Sequence, residues 1–126
     1  MTGICTSELY ITRAECYARA NEIDKAMKDL NDLLINRWKS GSYIPYTAAT
    51  KEEALEIILK ERKKELVCRG LRWMDIRRLN QEGANITITR KVGDQLYQLT
   101  PGDLRFTSQI PQVLVLDYGY VQNPTE

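Results

Sequence analysis

The sequence contains no histidine in 126 residues. That removes the commonest general base, the commonest metal ligand and the side chain that changes charge near neutral pH. There are three cysteines, Cys5, Cys16 and Cys68, and no C-x-x-C pair. This spacing argues against a zinc site, and the odd count argues against a disulfide framework. Cys16 and Cys68 fall within apolar helix patterns, so buried free thiols are expected there. The glycines stand singly with no G-x-G, so no phosphate-cradling loop is expected. No apolar run is long enough to span a membrane. The N-terminal MTGICTSEL has neither the basic nor the apolar region of a signal peptide. A net charge of +1 gives no long-range pull toward nucleic acid or an anionic membrane.

What is present is ordinary for a globular chain: 43 % apolar and 28 % charged residues, enough for one domain with a modest core. One stretch is unusual. Glu61–Arg78, ERKKELVCRGLRWMDIRR, holds seven of the eighteen basic residues and one of the two tryptophans. On a helix Glu65 would face Arg69, and Arg69 would lie over Trp73. Arg72 and Arg78 would each stand one turn from Asp75. Spacing alone leaves two readings open, a buried-edge network and a solvated basic helix.

In chain order, Ser7 is placed to cap a helix from Glu8 to about Ala20, ended by Asn21. Tyr10, Ala14 and Tyr17 share one of its faces. A second helix from Ile23 to Trp38 carries the stripe Ile23, Ala26, Met27, Leu30, Leu33, Leu34 and Trp38. The short link implies an antiparallel pair, with Ala14 and Ala26 allowing close approach. The pair resembles a tetratricopeptide-type hairpin, a unit that cannot bury both of its faces alone. Lys39 to Ala49 reads as a loop. Its Tyr43 and Tyr46 are candidate sugar or partner platforms, but packing back on the hairpin is the favoured reading. Thr50 to Glu53 forms a capping box. The helix it opens carries Leu55, Ile58, Leu59, Leu66 and Val67 on its apolar stripe, with the Arg62 stem covered. Gly70 marks a bend or close backbone contact, and the helix resumes from Leu71 to Leu79. Ile86–Thr89 and Leu96–Leu99 read as strands around a Gly93-Asp94 turn. From Thr100 the chain reads as irregular, including the apolar run Val113–Leu116. The expected fold class is mainly α in a single domain, 1–126. It comprises a helical hairpin over 7–38, a long helix over 50–80, and a small β-ribbon with an irregular tail over 84–126.

Three motifs in order carry a family resemblance. Glu61, Arg62, Glu65, Leu66, Gly70, Arg72, Trp73 and Asp75 form E-R-x-x-E-L-x-x-x-G-x-R-W-x-D, which resembles the signature of the SusD/RagB family. Leu9 to Glu15, with Tyr17 and Ala18 to Ala20, resembles that family's L-Y-x-x-R-A-E-x-Y-A-R helix. Ile110-Pro111-Gln112 and Gln122-Asn123-Pro124 resemble its closing P-I-P-Q and Q-N-P elements. The chain departs from the pattern at Cys68, at Val113–Leu116 and at the Thr125-Glu126 end.

The resemblance implies a surface nutrient-binding lipoprotein of the outer membrane of Bacteroidetes-type bacteria, non-enzymatic, with a TonB-dependent SusC-like transporter and an oligosaccharide as partners. Family chains are several times longer, so this one is expected to be a C-terminal portion, with export signal and anchor outside it and Cys5 not the lipidated residue. Glu61, Arg62, Glu65, Gly70, Arg72, Trp73 and Asp75 are expected to be structural. Tyr10, Tyr17, Tyr43 and Tyr46 are candidate partner-facing residues. No catalytic residue, cofactor or metal is expected. The carboxylates at Glu52/Glu53, Glu61/Glu65 and Asp103 serve a helix start or lie among cations, unlike a protonated general acid. Nucleic-acid binding through Arg69, Arg72, Arg77, Arg78 and Trp73 is disfavoured by the interleaved Glu61, Glu65 and Asp75. The alternative is a free-standing tetratricopeptide-like protein–protein interaction module.

Overall fold

The computed structural model describes Gly3 and residues 5–124; the divergent Thr125-Glu126 end lies outside the described residues, as do Met1, Thr2 and Ile4 of the N-terminal stretch. The chain divides into two compact units, Met1–Arg72 and Trp73–Glu126.

The first unit is built on α1 (Thr6–Arg19), α2 (Ile23–Leu34) and α3 (Lys51–Glu65). Helix α1 starts two residues earlier than expected. Cys5 occupies its N-cap with no side-chain cap, and Ser7 lies inside the helix, 3.2 Å from the Cys5 sulfur. Its far end is as expected: Asn21 takes φ +62° and turns the chain back into α2. Ala14 and Ala26 are fully buried, which permits the close approach of the two helices. Helix α2 stops at Leu34 and passes through one 3₁₀ turn, Ile35–Arg37. Trp38 therefore leaves the apolar stripe; it is exposed and tilted against Tyr43 at a 6.1 Å ring separation. Helix α3 lies mainly against α1. The core joins Ile11 and Ala18 of α1, Leu30 and Leu33 of α2, and Ala54 and Ile58 of α3. Complete burial of Ile11, Leu30 and Ile58 stabilises by roughly 1.5–3 kcal/mol each.

The long helix over 50–80 is broken. Its start is as expected: Thr50 Oγ1 accepts from the Glu53 amide at 3.2 Å, while Glu53 reaches back to the Ala49 amide at 2.8 Å. It ends at Glu65, and residues 66–71 form a turn in which Cys68 (φ +61°) and Gly70 (φ +76°) are both left-handed. Two such residues cannot continue a right-handed helix. Nothing lies within 4 Å of where a Gly70 Cβ would sit, so the glycine serves this conformation rather than a close contact. The break also carries Val67 and Cys68 into solvent. Cys16 is exposed on α1 as well, so neither thiol is buried as the apolar pattern implied.

The second unit holds α4 (Arg72–Gln81), strands β1 (Ile88–Val92) and β2 (Gln95–Leu99), and α5 (Gln112–Tyr118). The strands pair antiparallel with Val92 opposite Gln95, leaving Gly93-Asp94 as a two-residue loop with Gly93 at φ +60°. Strand β1 starts at Ile88 rather than Ile86. The Asn80 side chain bonds the Ile86 amide at 2.6 Å and its carbonyl at 2.9 Å, which holds that residue at the end of α4. Val113–Leu116 is helical, in α5, not irregular. Pro111 starts it and left-handed Gly119 ends it. Both expectations of a mainly helical fold and a small β-hairpin hold.

Candidate functional site

Of the pairs that helical spacing suggested in Glu61–Arg78, Asp75 with Arg78 forms, whereas Glu65 with Arg69 does not. Glu61 is buried on α3; it accepts from the Tyr46 hydroxyl at 3.2 Å and from Lys64 at 2.5 Å. Arg62 donates to Thr12 Oγ1 on α1 at 3.0 Å. Glu65 does not pair with Arg69. It accepts two hydrogen bonds from Arg37, Nη2 at 2.6 Å and Nε at 3.0 Å, and these hold its carboxyl below the usual carboxylate range. Arg69, carried off the helix by the turn, donates to the Gly3 carbonyl and stands 3.9 Å from Glu8. Asp75 is buried and pairs with Arg78 at 3.2 Å. Trp73 is 40 % exposed; its ring is tilted against Phe106 at a 4.9 Å centroid separation and its Nε1 donates to the Phe106 carbonyl at 3.0 Å. Arg72 is exposed, and no described residue pairs with its side chain.

The four tyrosines separate into two pairs. Tyr43 and Tyr46 turn back on α2 through Asn31. Asn31 Oδ1 accepts from the Tyr43 hydroxyl at 2.6 Å and the Tyr46 amide at 2.8 Å, and its Nδ2 donates to the Tyr46 carbonyl at 2.9 Å. Burial pushes the Tyr43 hydroxyl pKa up. Tyr10 and Tyr17 are half-buried on α1 and pack against the core, each beneath a cation: Arg13 lies 5.3 Å from the Tyr10 ring, and Lys25 lies 5.5 Å from the Tyr17 ring. Arg13 is itself clamped by buried Asp29 at 2.6 and 2.8 Å. Beside Tyr10 runs a shallow and mostly apolar groove of about 530 Å³, lined by Leu9, Tyr10, Arg13 and Cys16.

A second concavity, of about 390 Å³, lies within the second unit, between α4 and residues 102–107. Arg77, Asn80 and Gln81 line one side, and Asp103, Leu104 and Thr107 the other. Asp103 caps the 3₁₀ turn Leu104–Phe106 through the Arg105 amide at 2.9 Å, and the Arg105 side chain closes on the same carboxylate at 2.9 and 2.5 Å. These bonds keep the Asp103 carboxyl below its ordinary range.

Two residues at these contacts carry a signal in the sequence itself. Asn31 falls at the i+4 position from Met27, within the apolar stripe of α2, and a polar side chain on a core stripe implies a hydrogen-bonding duty. Asn80 stands in the same relation to Ile76. Arg37, by contrast, had no local signal, because its partner is 28 residues away.

Among the described residues no cluster of acidic or cysteine side chains is arranged to hold a metal, and no helix is long and apolar enough to cross a membrane. Comparison with curated proteins and with solved structures returns no match. The family model described as the SusD family matches residues 4–112, most of the chain and all of the Glu61–Asp75 signature. Its members are proteins that bind glycans or other nutrients at the outer membrane rather than enzymes. By that match this chain belongs to the SusD family.

Proposed function

We propose that the chain is the C-terminal portion of a SusD-like domain that captures oligosaccharide at the outer-membrane surface and passes it, uncleaved, to a SusC-like TonB-dependent transporter. The family match over residues 4–112 carries this reading. The carboxylates support binding without catalysis. Glu61, Glu65 and Asp75 each accept from a cation within 3.2 Å, and the Arg37 hydrogen bonds lower the Glu65 carboxyl further from the range of a general acid. The signature residues act in assembly, with glycan recognition elsewhere on the protein. The test is a glycan array probed with the protein, followed by chromatography of any retained oligosaccharide. Retention with the sugar recovered intact is the expected result; release of new reducing ends would overturn the reading.

A second reading has one specific observation in its favour. The groove beside Tyr10 on α1 is apolar, and Leu9 within it is 58 % exposed. A free-standing helical-hairpin module would use that face, with Tyr10 and Tyr17, to dock a partner protein. Such docking should be insensitive to salt and lost on Leu9→Glu, whereas glycan retention on the array should not change with that substitution.

A further inference from the structure

We propose that the cleft between α4 and residues 102–107 binds a uronate unit of an acidic oligosaccharide through Arg77. This deepens the glycan-binding reading and rests on it.

The argument begins with the charge balance of the cleft. Two ionised groups line it, Arg77 and Asp103. Asp103 is already neutralised within its own wall by the two-pronged contact from Arg105. Arg77 is exposed, and no described residue pairs with it. The cleft therefore presents one uncompensated positive charge.

The remaining groups define the rest of the ligand. The Asn80 amide is spent at both ends on the Ile86 backbone, so it shapes the wall rather than meeting a ligand. The side chains of Gln81 and Thr107 are exposed and unpaired among the described residues, which leaves an amide and a hydroxyl for sugar hydroxyls. Arg77 and Gln81 stand four apart on α4 and so share a face. Leu104 is 46 % exposed and offers an apolar patch to the C–H face of a ring. Buried Phe106, held by the Trp73 indole, supports that wall. A volume of about 390 Å³ lies at the small end of the range for small-molecule sites.

One guanidinium matches one carboxylate, which it holds through a two-pronged hydrogen-bond fork. A phosphate carries nearly twice that charge and is usually met by several cations or a nest of backbone amides. A neutral sugar would leave the cation unused. A uronate ring supplies one negative charge, hydroxyls and a C–H face together.

The experiment is an amide-resolved NMR titration of the whole chain with trigalacturonate and with its fully methyl-esterified form, which keeps the sugar and removes the charge. Trigalacturonate should shift amides in 77–81 and 102–107. The ester should bind about tenfold more weakly or worse, and Arg77→Gln should weaken the acid by a similar factor. Arg77→Lys should recover part of the loss, because it restores the charge without the fork. Equal binding of acid and ester, or undiminished binding by Arg77→Gln, would overturn the proposal. A glycan that binds with its shifts outside the two segments sinks the cleft but leaves the glycan-binding reading. A panel of acidic and neutral oligosaccharides that perturbs no amide at all sinks both.

Discussion

Gln122 grips Ile110 from both sides: its Oε1 accepts from the Ile110 amide at 2.7 Å and its Nε2 donates to the Ile110 carbonyl at 2.9 Å. The same oxygen accepts from the Asn123 amide at 2.9 Å, and Asn123 Nδ2 donates to the Ser108 carbonyl at 2.8 Å. Two short motifs separated along the chain are thus one clamp. The Gln-Asn pair supplies side-chain partners for the backbone of residues 108–110, which belong to no helix or sheet. Gln122→Ala leaves three backbone or near-backbone groups without that partner. It should destabilise the second unit by about 1–2 kcal/mol and speed amide exchange at Ile110 and Asn123. Gln122→Glu keeps the acceptor and loses the donor, so the Ile110 amide should stay protected. Unchanged exchange in Gln122→Ala would show that the clamp contributes nothing.

Much of this architecture is legible in the sequence, and the reasons are physical. The Met27–Leu30–Leu34 stripe, the Thr50–Glu53 capping box and the Gly93-Asp94 turn are short-range signals, and each produced its element. The misreadings arose where a local pattern was overruled. Cys68 has no sequence reason to be left-handed, yet its φ of +61°, with Gly70 at +76°, keeps the chain from resuming the helix after Glu65, so the Glu65–Arg69 pairing is lost. Val113–Leu116 is apolar and half β-branched, but Pro111 and Gly119 set helix boundaries around it. In the proposed cleft, Arg77 was visible only as one of several arginines. Its isolation follows from Arg78 taking Asp75 and Arg105 taking Asp103, which no linear spacing shows.

The pairing of Arg37 with Glu65 predicts a pH dependence. Hydrogen bonds from Arg37 lower the Glu65 carboxyl below its ordinary value of 4.5. A group whose folded pKa is depressed contributes stability above its unfolded value, and loses it as pH falls through the folded one. Arg37→Gln should therefore cost about 1 kcal/mol at neutral pH, the modest figure reflecting the half-exposed guanidinium. The difference from the parent should shrink below the ordinary glutamate range as both carboxyls protonate. Denaturant midpoints at neutral and acidic pH check this, and a constant difference between them would place the effect of Arg37 in packing rather than in ionisation.

The Trp73 indole sits on Phe106 but keeps 40 % of its surface exposed. A fully buried tryptophan cut to alanine costs about 3–5 kcal/mol, and partial exposure reduces the transfer part of that in proportion. Trp73→Ala should thus destabilise the second unit by about 2 kcal/mol, with loss of the Nε1 bond to the Phe106 carbonyl included. Trp73→Phe retains ring contact but not the donor, and should cost about 1 kcal/mol. Amide exchange at 104–107 reads both. Equal effects of the two substitutions would mean the hydrogen bond, not the ring, holds Phe106.

Asn31 carries more of the first unit than its size suggests. It serves the Tyr43 hydroxyl, the Tyr46 amide and the Tyr46 carbonyl at once, so the whole 39–49 loop returns to α2 through one side chain. Asn31→Ala removes all three partners in a half-buried place, and the expected loss is about 2–3 kcal/mol. Asn31→Asp separates the roles. The carboxylate still accepts from the tyrosine hydroxyl and amide, but it turns a second acceptor toward the Tyr46 carbonyl, where a donor stood. The two oxygens repel, so Asn31→Asp should release the Tyr46 carbonyl while the Tyr46 amide stays slow to exchange. If both substitutions leave the Tyr46 amide protected, then the Tyr46 hydroxyl on Glu61 is the true anchor of the loop. Tyr46→Phe would then be the destabilising change.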